Sequence, residues 1–266
     1  MSVLDDIIVG VRADLDSRRT LLPLEEVQVL AEQAQGPRDA YGALSTKGGG
    51  VRVIAEVKRK SPSKGALSDI PDPAELAAAY ERGGASVISV LTEERRFGGS
   101  LEDLDAVRAA VDLPILRKDF TVDEYQIWEA RAHGADLILL IVAALDDATL
   151  RSFLELTERL GMHALVETHT TEEVERAVAV GARIIGVNVR NLKTLDIDRS
   201  VFPALAGLIP SDAVVVAESG VRDIADVERF VADGAQAVLV GEALVRHSNP
   251  EETVREFARA GSALHS

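Results

Sequence analysis

From residue 51 onward the chain alternates short apolar runs with longer amphipathic segments. The runs occupy 51–57, 86–91, 114–117, 137–142, 164–167, 184–189, 214–218 and 237–240, and Val, Ile, Leu and Ala dominate them with little polar alternation. Such runs suit strands buried on both faces, as in a parallel sheet, because a strand with one wet face would alternate. The intervening segments carry helix signals. Asp72-Pro73 with Glu75, Ser100 with Asp103, Thr121 with Glu124 and Thr170 with Glu173 resemble N-terminal caps. Apolar stripes such as Leu150, Phe153, Leu154 and Leu160, or Val227, Phe230 and Val231, recur at helical spacing. A weak internal repeat supports the pattern: Gly84-Ala85, Gly134-Ala135, Gly181-Ala182 and Gly234-Ala235 each close a helix just ahead of a run. Eight strand-helix units in succession predict an α/β fold, a closed (β/α)8 TIM barrel. A doubly wound open sheet would have about six strands and a glycine-rich dinucleotide loop, and the sequence has no such loop.

Two helices are expected ahead of the barrel, across residues 2–34. Val3, Leu4, Ile7, Ile8, Val11 and Leu15 form one stripe, and Leu24, Val27, Leu30 and Ala31 form a second after Pro23. Residues 35–50, with Gly36, Pro37, Gly42 and Gly48 to Gly50, read mainly as connection. The expected organisation is an N-terminal helical extension over 1–50 and a catalytic barrel over 51–266, one structural domain in all.

Composition narrows the chemistry. Of 266 residues 47% are hydrophobic but only 4% aromatic, so a large core must be built from aliphatic side chains. Against 29 Lys and Arg stand 44 Asp and Glu, a formal net charge of −15, which argues against general binding to nucleic acid or an anionic membrane. A local basic pocket for an anionic small molecule is compatible with that balance. The chain has no Cys, which excludes disulfides, thiolate metal sites and cysteine nucleophiles. Asp5 and Asp6 stand where a secretory signal would be basic, and no apolar run reaches membrane-spanning length, so a cytoplasmic protein is expected.

In a (β/α)8 barrel the site forms at the carboxyl ends of the strands, so the residues that end each run are the test. The first run ends in Glu56 and Lys58, two residues apart and therefore projecting to one side. The third leads into Arg117-Lys118-Asp119-Phe120, the fifth ends in Glu167, and the sixth in Asn188, Arg190 and Asn191. Glu218-Ser219-Gly220 and Gly241-Glu242 close the seventh and eighth. Singly, each is also what ordinary loop polarity produces. Together, in a closed barrel, they place carboxylates, lysines, an amide and an arginine around one opening, a set suited to acid-base chemistry on an anionic substrate. The glycines after the last two runs suit a phosphate, which barrels of this type often bind there, although plain glycine turns would have the same sequence. Glu242 would have to turn its carboxylate away while its N–H faces the ligand.

Other candidates have less support. His133, His163, His169, His247 and His265 show no metal-ligand spacing, and His163 and His169, flanking the fifth run, read as structural or solvent-facing. Ser61, Ser63 and Ser219 lack a nucleophile-elbow pattern. Trp128, on an expected helix, reads as packing.

Glu56-Val57-Lys58 with Ser61-Pro62-Ser63-Lys64-Gly65, Leu116-Arg117-Lys118-Asp119-Phe120, Leu165-Val166-Glu167, Gly186-Val187-Asn188-Val189-Arg190-Asn191-Leu192 and Ala217-Glu218-Ser219-Gly220 follow one another along the chain. In that order they resemble the motifs of the indole-3-glycerol phosphate synthase family, over about residues 50 to 248, and the N-terminal helices fit the family's extension. The resemblance implies a carboxy-lyase of tryptophan biosynthesis, with no cofactor and no metal. It implies the conversion of 1-(2-carboxyphenylamino)-1-deoxyribulose 5-phosphate to indole-3-glycerol phosphate with loss of CO2 and water. Carried over by motif, Lys118 is the general acid that activates the ketone, Glu167 and Lys58 take part in proton transfer and dehydration, and Glu56 and Asn188 orient groups around them. Arg190, Glu218 and Ser219 support the substrate, and Phe97 and Phe120 flank its anthranilate ring. Ser61, Gly220, Gly241 and Glu242 hold the phosphate, with Lys58 contributing charge. Ser63-Lys64-Gly65 would lie in a mobile covering loop. Lys118 must stay protonated although burial opposes it, so a neighbouring carboxylate is required. Thr168 departs from the branched apolar residue of many relatives. The expected partner is the phosphorylated anthranilate-ribulose substrate, with no nucleic acid and no membrane, in a monomer that associates weakly with other tryptophan-pathway enzymes.

Three rivals are weaker. Phosphoribosylanthranilate isomerases use a Cys and an Asp, and this chain has no Cys. A decarboxylase of the orotidylate type would need an Asp-Lys-Asp array that is missing around Lys118-Asp119. A noncatalytic metabolite-binding barrel would have eroded acid-base positions, whereas each matched position is filled.

Overall fold

Eight parallel strands close into a barrel in the computed structural model, which describes residues 2–45, 50–62, 64–67, 70–192, 194–246 and 249–260. They are β1 (Arg52–Val57), β2 (Val87–Leu91), β3 (Ile115–Lys118), β4 (Leu137–Ile141), β5 (His163–Thr168), β6 (Ile184–Asn188), β7 (Val214–Glu218) and β8 (Ala237–Val240). Each pairs with its neighbours in sequence, and β1 pairs with β8 to complete the ring.

The apolar runs separate by parity into two cores. Val53, Ala55 and Val57 of β1, or Val215 and Ala217 of β7, belong to the layer between strands and helices. Ile54, Leu116, Leu165, Ile184, Val214 and Val216 fill the barrel interior. Because side chains alternate along a strand, the same inward parity reaches Glu56, Lys118, Glu167, Asn188 and Glu218 at the carboxyl ends. Each of these five strands thus starts as packing and ends as chemistry.

Helices surround the barrel, among them α4 (Pro73–Gly83), α6 (Leu101–Ala110), α7 (Glu124–Ala132), α8 (Asp147–Arg159), α9 (Thr171–Ala179), α11 (Ile224–Ala232) and α13 (Pro250–Arg259), with shorter α5 (Glu94–Phe97), α10 (Phe202–Ala206) and α12 (Glu242–Arg246). Asp72, Ser100 and Thr170 accept backbone N–H groups as caps, as their spacing predicts. Thr121 does not. Asp123 caps α7 by accepting from the Tyr125 N–H, and Thr121 is buried in the turn before it. The four Gly-Ala glycines all have positive φ, and Gly161 adds a fifth helix end of the same kind.

Two of the three N-terminal helices match the apolar stripes: α1 (Val3–Leu21) and α2 (Leu24–Gln33). The third, α3 (Ala40–Leu44), lies in the stretch read as connection. Ala40 and Leu44 are fully buried in the interior core beside Leu137, Ile184 and Val214, at the strand starts, so α3 packs under the barrel. Leu15, Val27 and Tyr125 pack together with Trp128 against them, which seats α1 and α2 on α7. Among the described residues no helix is long and apolar enough to cross a membrane.

A buried ionic chain ties α1 to the barrel. Arg117, on the face of β3 opposite Lys118, lies 2.8 Å from Glu129 and 3.2 Å from Asp119, and Glu129 also meets Arg18 of α1 at 2.8 Å. Burial pushes the Glu129 pKa up, but Arg117 and Arg18 outweigh it and hold the carboxyl below its usual range. Breaking one member of a buried pair typically costs about 3 kcal/mol, and Glu129→Gln is expected to destabilise by that amount in urea titration at neutral pH. A depressed carboxylate stabilises above its unfolded pKa and loses that contribution as pH falls through the folded one. The gap between variant and wild type therefore narrows in acid; a gap that stays constant with pH would remove the ionic account.

Candidate active site

At the carboxyl ends of the strands lies a cavity of about 380 Å³. Glu56, Lys58, Ser61, Phe97, Lys118, Phe120, Glu167, Asn188, Arg190, Glu218, Ser219, Gly220, Gly241 and Glu242 all line it. The barrel brings these residues together from six strand ends and the loops after β1 and β2.

Its floor is a cluster of ions. The Lys118 Nζ stands 3.4 Å from Glu167 Oε2 and 3.2 Å from Glu218 Oε2. Burial alone would lower the lysine's pKa, but Glu218, Glu167 and Glu56 outweigh it and raise it above the ordinary value. The ammonium form is therefore the resident one. The two carboxylates part company. Burial pushes both up, yet Glu167 also has the Asn188 Nδ2 donating to its Oε1 at 3.1 Å and the His169 ring beside it, and with Lys118 these hold it well below the carboxylate range. Among the described residues no aligned donor reaches the buried Glu218 oxygens, and burial together with the neighbouring Glu167 charge outweighs Lys118 and pushes this carboxyl up to about 8. Two acids with opposed shifts around one ammonium are the pattern that separates acid from base roles.

Glu56 and Lys58 pair at 2.5 Å on the β1 side of the cluster. Gly241 permits this, since a Cβ there would press on the Glu56 carboxylate and the end of Lys58. Gly186 does the same on the opposite wall, where a Cβ would collide with the Glu218 carboxylate. Asn188 is oriented twice: its Oδ1 accepts from the Arg190 N–H at 3.0 Å while its amide donates to Glu167. The Arg190 guanidinium donates to the Leu195 carbonyl at 3.0 Å.

At the end of β7 the chain turns sharply: Ser219 and Gly220 both have positive φ, 67° and 79°, and the Arg199 Nε donates to the Gly220 carbonyl at 2.7 Å. The Glu242 carboxylate is turned toward Lys64 at 2.5 Å and Arg246 at 2.8 Å. Lys64 reaches it from a small hairpin, Lys60–Ser61 paired antiparallel with Gly65–Ala66, whose base is held where Arg59 pairs with Asp103. Ser63, in the expected covering loop, lies outside the described residues, as do His247 and His265. The opposite wall is apolar: the Phe97 and Phe120 rings stand 6.0 Å apart at 42°, and Leu4 and Ile7 of α1 close over the opening.

Sequence reasoning missed four contributors. His169, read as structural or solvent-facing, is buried against Glu167 with its Nε2 at 3.2 Å from Oε1. The two-residue spacing that singled out Glu56 and Lys58 also joins Glu167 to His169 and was the available signal. Leu4 and Ile7 were read for helix packing alone, and the room that Gly186 leaves for Glu218 has no signature before the register is known.

A closed barrel whose strand ends bury acids and bases of opposed tendency around an ammonium defines the class: a (β/α)8 barrel enzyme for acid-base chemistry on an anionic substrate. Comparison with known proteins makes the assignment particular. A family model described as indole-3-glycerol phosphate synthase matches residues 4–257. Proteins of that name from Micrococcus luteus and Paenarthrobacter aurescens are 67% and 65% identical, the alignments covering 98% and 99% of this chain and 98% of each relative. The chain belongs to the indole-3-glycerol phosphate synthase family. Among solved structures, the 3-hexulose-6-phosphate synthase of Salmonella typhimurium superposes with a TM-score of 0.65 at 14% identity, over 81% of this chain and all (100%) of that one, a likeness of fold.

Proposed function

We propose that this cavity closes an indole ring, converting 1-(2-carboxyphenylamino)-1-deoxyribulose 5-phosphate to indole-3-glycerol phosphate with release of CO2 and water. Membership of a family of decarboxylating ring-closure enzymes gives the reaction. The observation that carries the residue assignment is Lys118, an ammonium held between Glu167 and Glu218 at the cavity floor. Lys118 protonates the ketone oxygen as the ring carbon bearing the carboxylate attacks the carbonyl carbon. That carbon–carbon bond forms, the carbonyl becomes a hydroxyl, and loss of CO2 returns the electron pair to the aromatic ring. In the dehydration that follows, Lys58 protonates the departing hydroxyl and Glu167 removes the proton whose loss completes the indole. Glu56 holds Lys58, and Asn188 holds Glu167.

The substrate's ends are placed by chemistry. The anthranilate ring packs against the Phe97 and Phe120 pair, with Arg190 facing its carboxylate and Glu218 and Ser219 facing the sugar hydroxyls. The phosphate lies at Ser61, Gly220, Gly241 and Glu242 within reach of the Lys58 charge, where glycines allow close approach of backbone N–H groups. The Glu242 side chain is engaged by Lys64 and Arg246 and so is drawn off the phosphate.

Adding the carboxyphenylamino deoxyribulose phosphate to the full-length protein is expected to give a steady rise in indole fluorescence. No rise from folded protein would overturn the reading, and turnover of phosphoribosylanthranilate in its place would assign the isomerase reaction.

A further inference from the structure

We propose that His169 is a positioning residue: an imidazolium wedged between Glu167 and Glu173 that keeps Glu167 ionised and fixes which of its oxygens faces the cavity. The proposal rests on the reading of Glu167 as the base of the dehydration step.

The geometry starts at the first turn of α9. Thr170 caps this helix by accepting the Glu173 N–H at 3.2 Å, and the Glu173 Oε2 reaches back to accept the His169 N–H at 2.7 Å. That reciprocal arrangement anchors the Glu173 carboxylate at the helix start. The same Oε2 lies 3.0 Å from the His169 Nδ1, so Nδ1 carries a proton toward it. The other ring nitrogen, Nε2, is buried and faces Glu167 Oε1 at 3.2 Å. A neutral ring with its proton on Nδ1 would aim a lone pair at that carboxylate. A ring protonated on both nitrogens turns both contacts into attraction, and the side chain, 10% exposed, has little water to replace them.

Lys118, Asn188 and His169 favour the ionised Glu167, while the Glu218 carboxyl opposes it. Glu167 is faced by Lys118 from β3, Asn188 from β6, Glu218 from β7 and His169 beyond β5, while His169 is faced by Glu167 and Glu173. Burial would lower the imidazole's pKa, but the two carboxylates outweigh it and raise it to about 10. His169 and Asn188 share Glu167 Oε1, which leaves Oε2 toward Lys118. Since His169 does not line the cavity, it acts through Glu167 and not on the substrate.

Two variants separate charge from shape. His169→Gln keeps a donor and loses the charge, and His169→Phe keeps a ring and loses both. In each, Glu167 loses a cationic neighbour, its pKa rises, and the acid limb of kcat against pH is expected to move up by about one unit. Turnover at the optimum should fall about tenfold with KM changed less than about twofold, the split expected of a group that never touches substrate. In the wild-type chain the His169 ring nitrogens should give imidazolium resonances at pH 8. Superimposable pH profiles with a lowered Tm, or a neutral His169 ring at pH 8, would overturn the proposal; if neither variant folds, the resonance measurement decides. Glu167→Gln, run alongside, keeps the two readings apart. Full turnover in that variant would remove Glu167 as the base, whereas loss there with unmoved profiles in the His169 variants would remove His169 alone.

Discussion

Lys118→Met is expected to lower turnover by about a thousandfold, within the range that a positioned general acid contributes, and to leave the barrel folded. Methionine keeps an unbranched stem in the same space and has no proton to give. The stronger part of the expectation concerns stability. With the ammonium gone, Glu167 and Glu218 face each other in a buried site with their shared cation removed. Both carboxyls would then titrate above their unfolded values. A group whose folded pKa is raised stabilises below its unfolded pKa and loses that contribution as pH climbs through the folded one. The Tm deficit of Lys118→Met against wild type should therefore grow from about pH 5 to pH 8 as those carboxyls are forced to ionise. In the wild type Glu218 and Glu167 hold the lysine protonated, so no alkaline loss of activity should trace to it in that range. Near-normal turnover would remove Lys118 from the centre of the mechanism, and a deficit independent of pH would contradict the electrostatic account.

The same cluster marks how far sequence reasoning reaches. The eight strands are legible because parallel strands packed on both faces must be continuously apolar, and each run ends within a residue of its strand. The inward residues at the strand ends follow from parity once a closed barrel is accepted, which is why Glu56, Lys118, Glu167, Asn188 and Glu218 could be named together. What escaped is held by contacts between distant parts of the chain. The helix α3 has five residues and contains Gly42, too short and too weak in propensity for a periodic signal, and it exists because Ala40 and Leu44 fit beneath the strands. The hairpin around Lys60 and Ala66 has two residues per strand. At Thr121 a plausible cap lost to Asp123, which stands immediately before α7 and also meets Arg19 at 2.6 Å. His169 escaped because a histidine beside a strand has no apolar or metal-spacing pattern. Its meaning depends on Glu173, four residues on, turning back to hold it.

Glu167→Gln should separate the two halves of the reaction. Three groups converge on this carboxylate: Lys118 at Oε2, the Asn188 amide donating to Oε1, and the His169 Nε2, 3.2 Å from Oε1, which donates there if the ring is the proposed imidazolium. A carboxylate can accept from all three, whereas a glutamine has one accepting oxygen and an NH2 group that donates. Facing two donors on one side and one on the other, the amide is expected to set its oxygen toward Asn188 and His169 and its NH2 toward Lys118. The lysine then shifts to Glu218, which, freed of the neighbouring negative charge, titrates lower than in the wild type and keeps the ammonium in place. With the roles proposed above, the acid survives and the base is lost. Ring closure and decarboxylation, which need the Lys118 proton, should slow modestly, while dehydration, which needs the carboxylate, should slow by about a hundredfold or more. Parallel single-turnover measurements should show a CO2 burst close to one per site that precedes a much slower rise in indole fluorescence. Equal slowing of both signals would place Glu167 in the ring-closure step as well, and equal retention of both would return the base to Glu56 or Lys58 on the β1 side of the cluster.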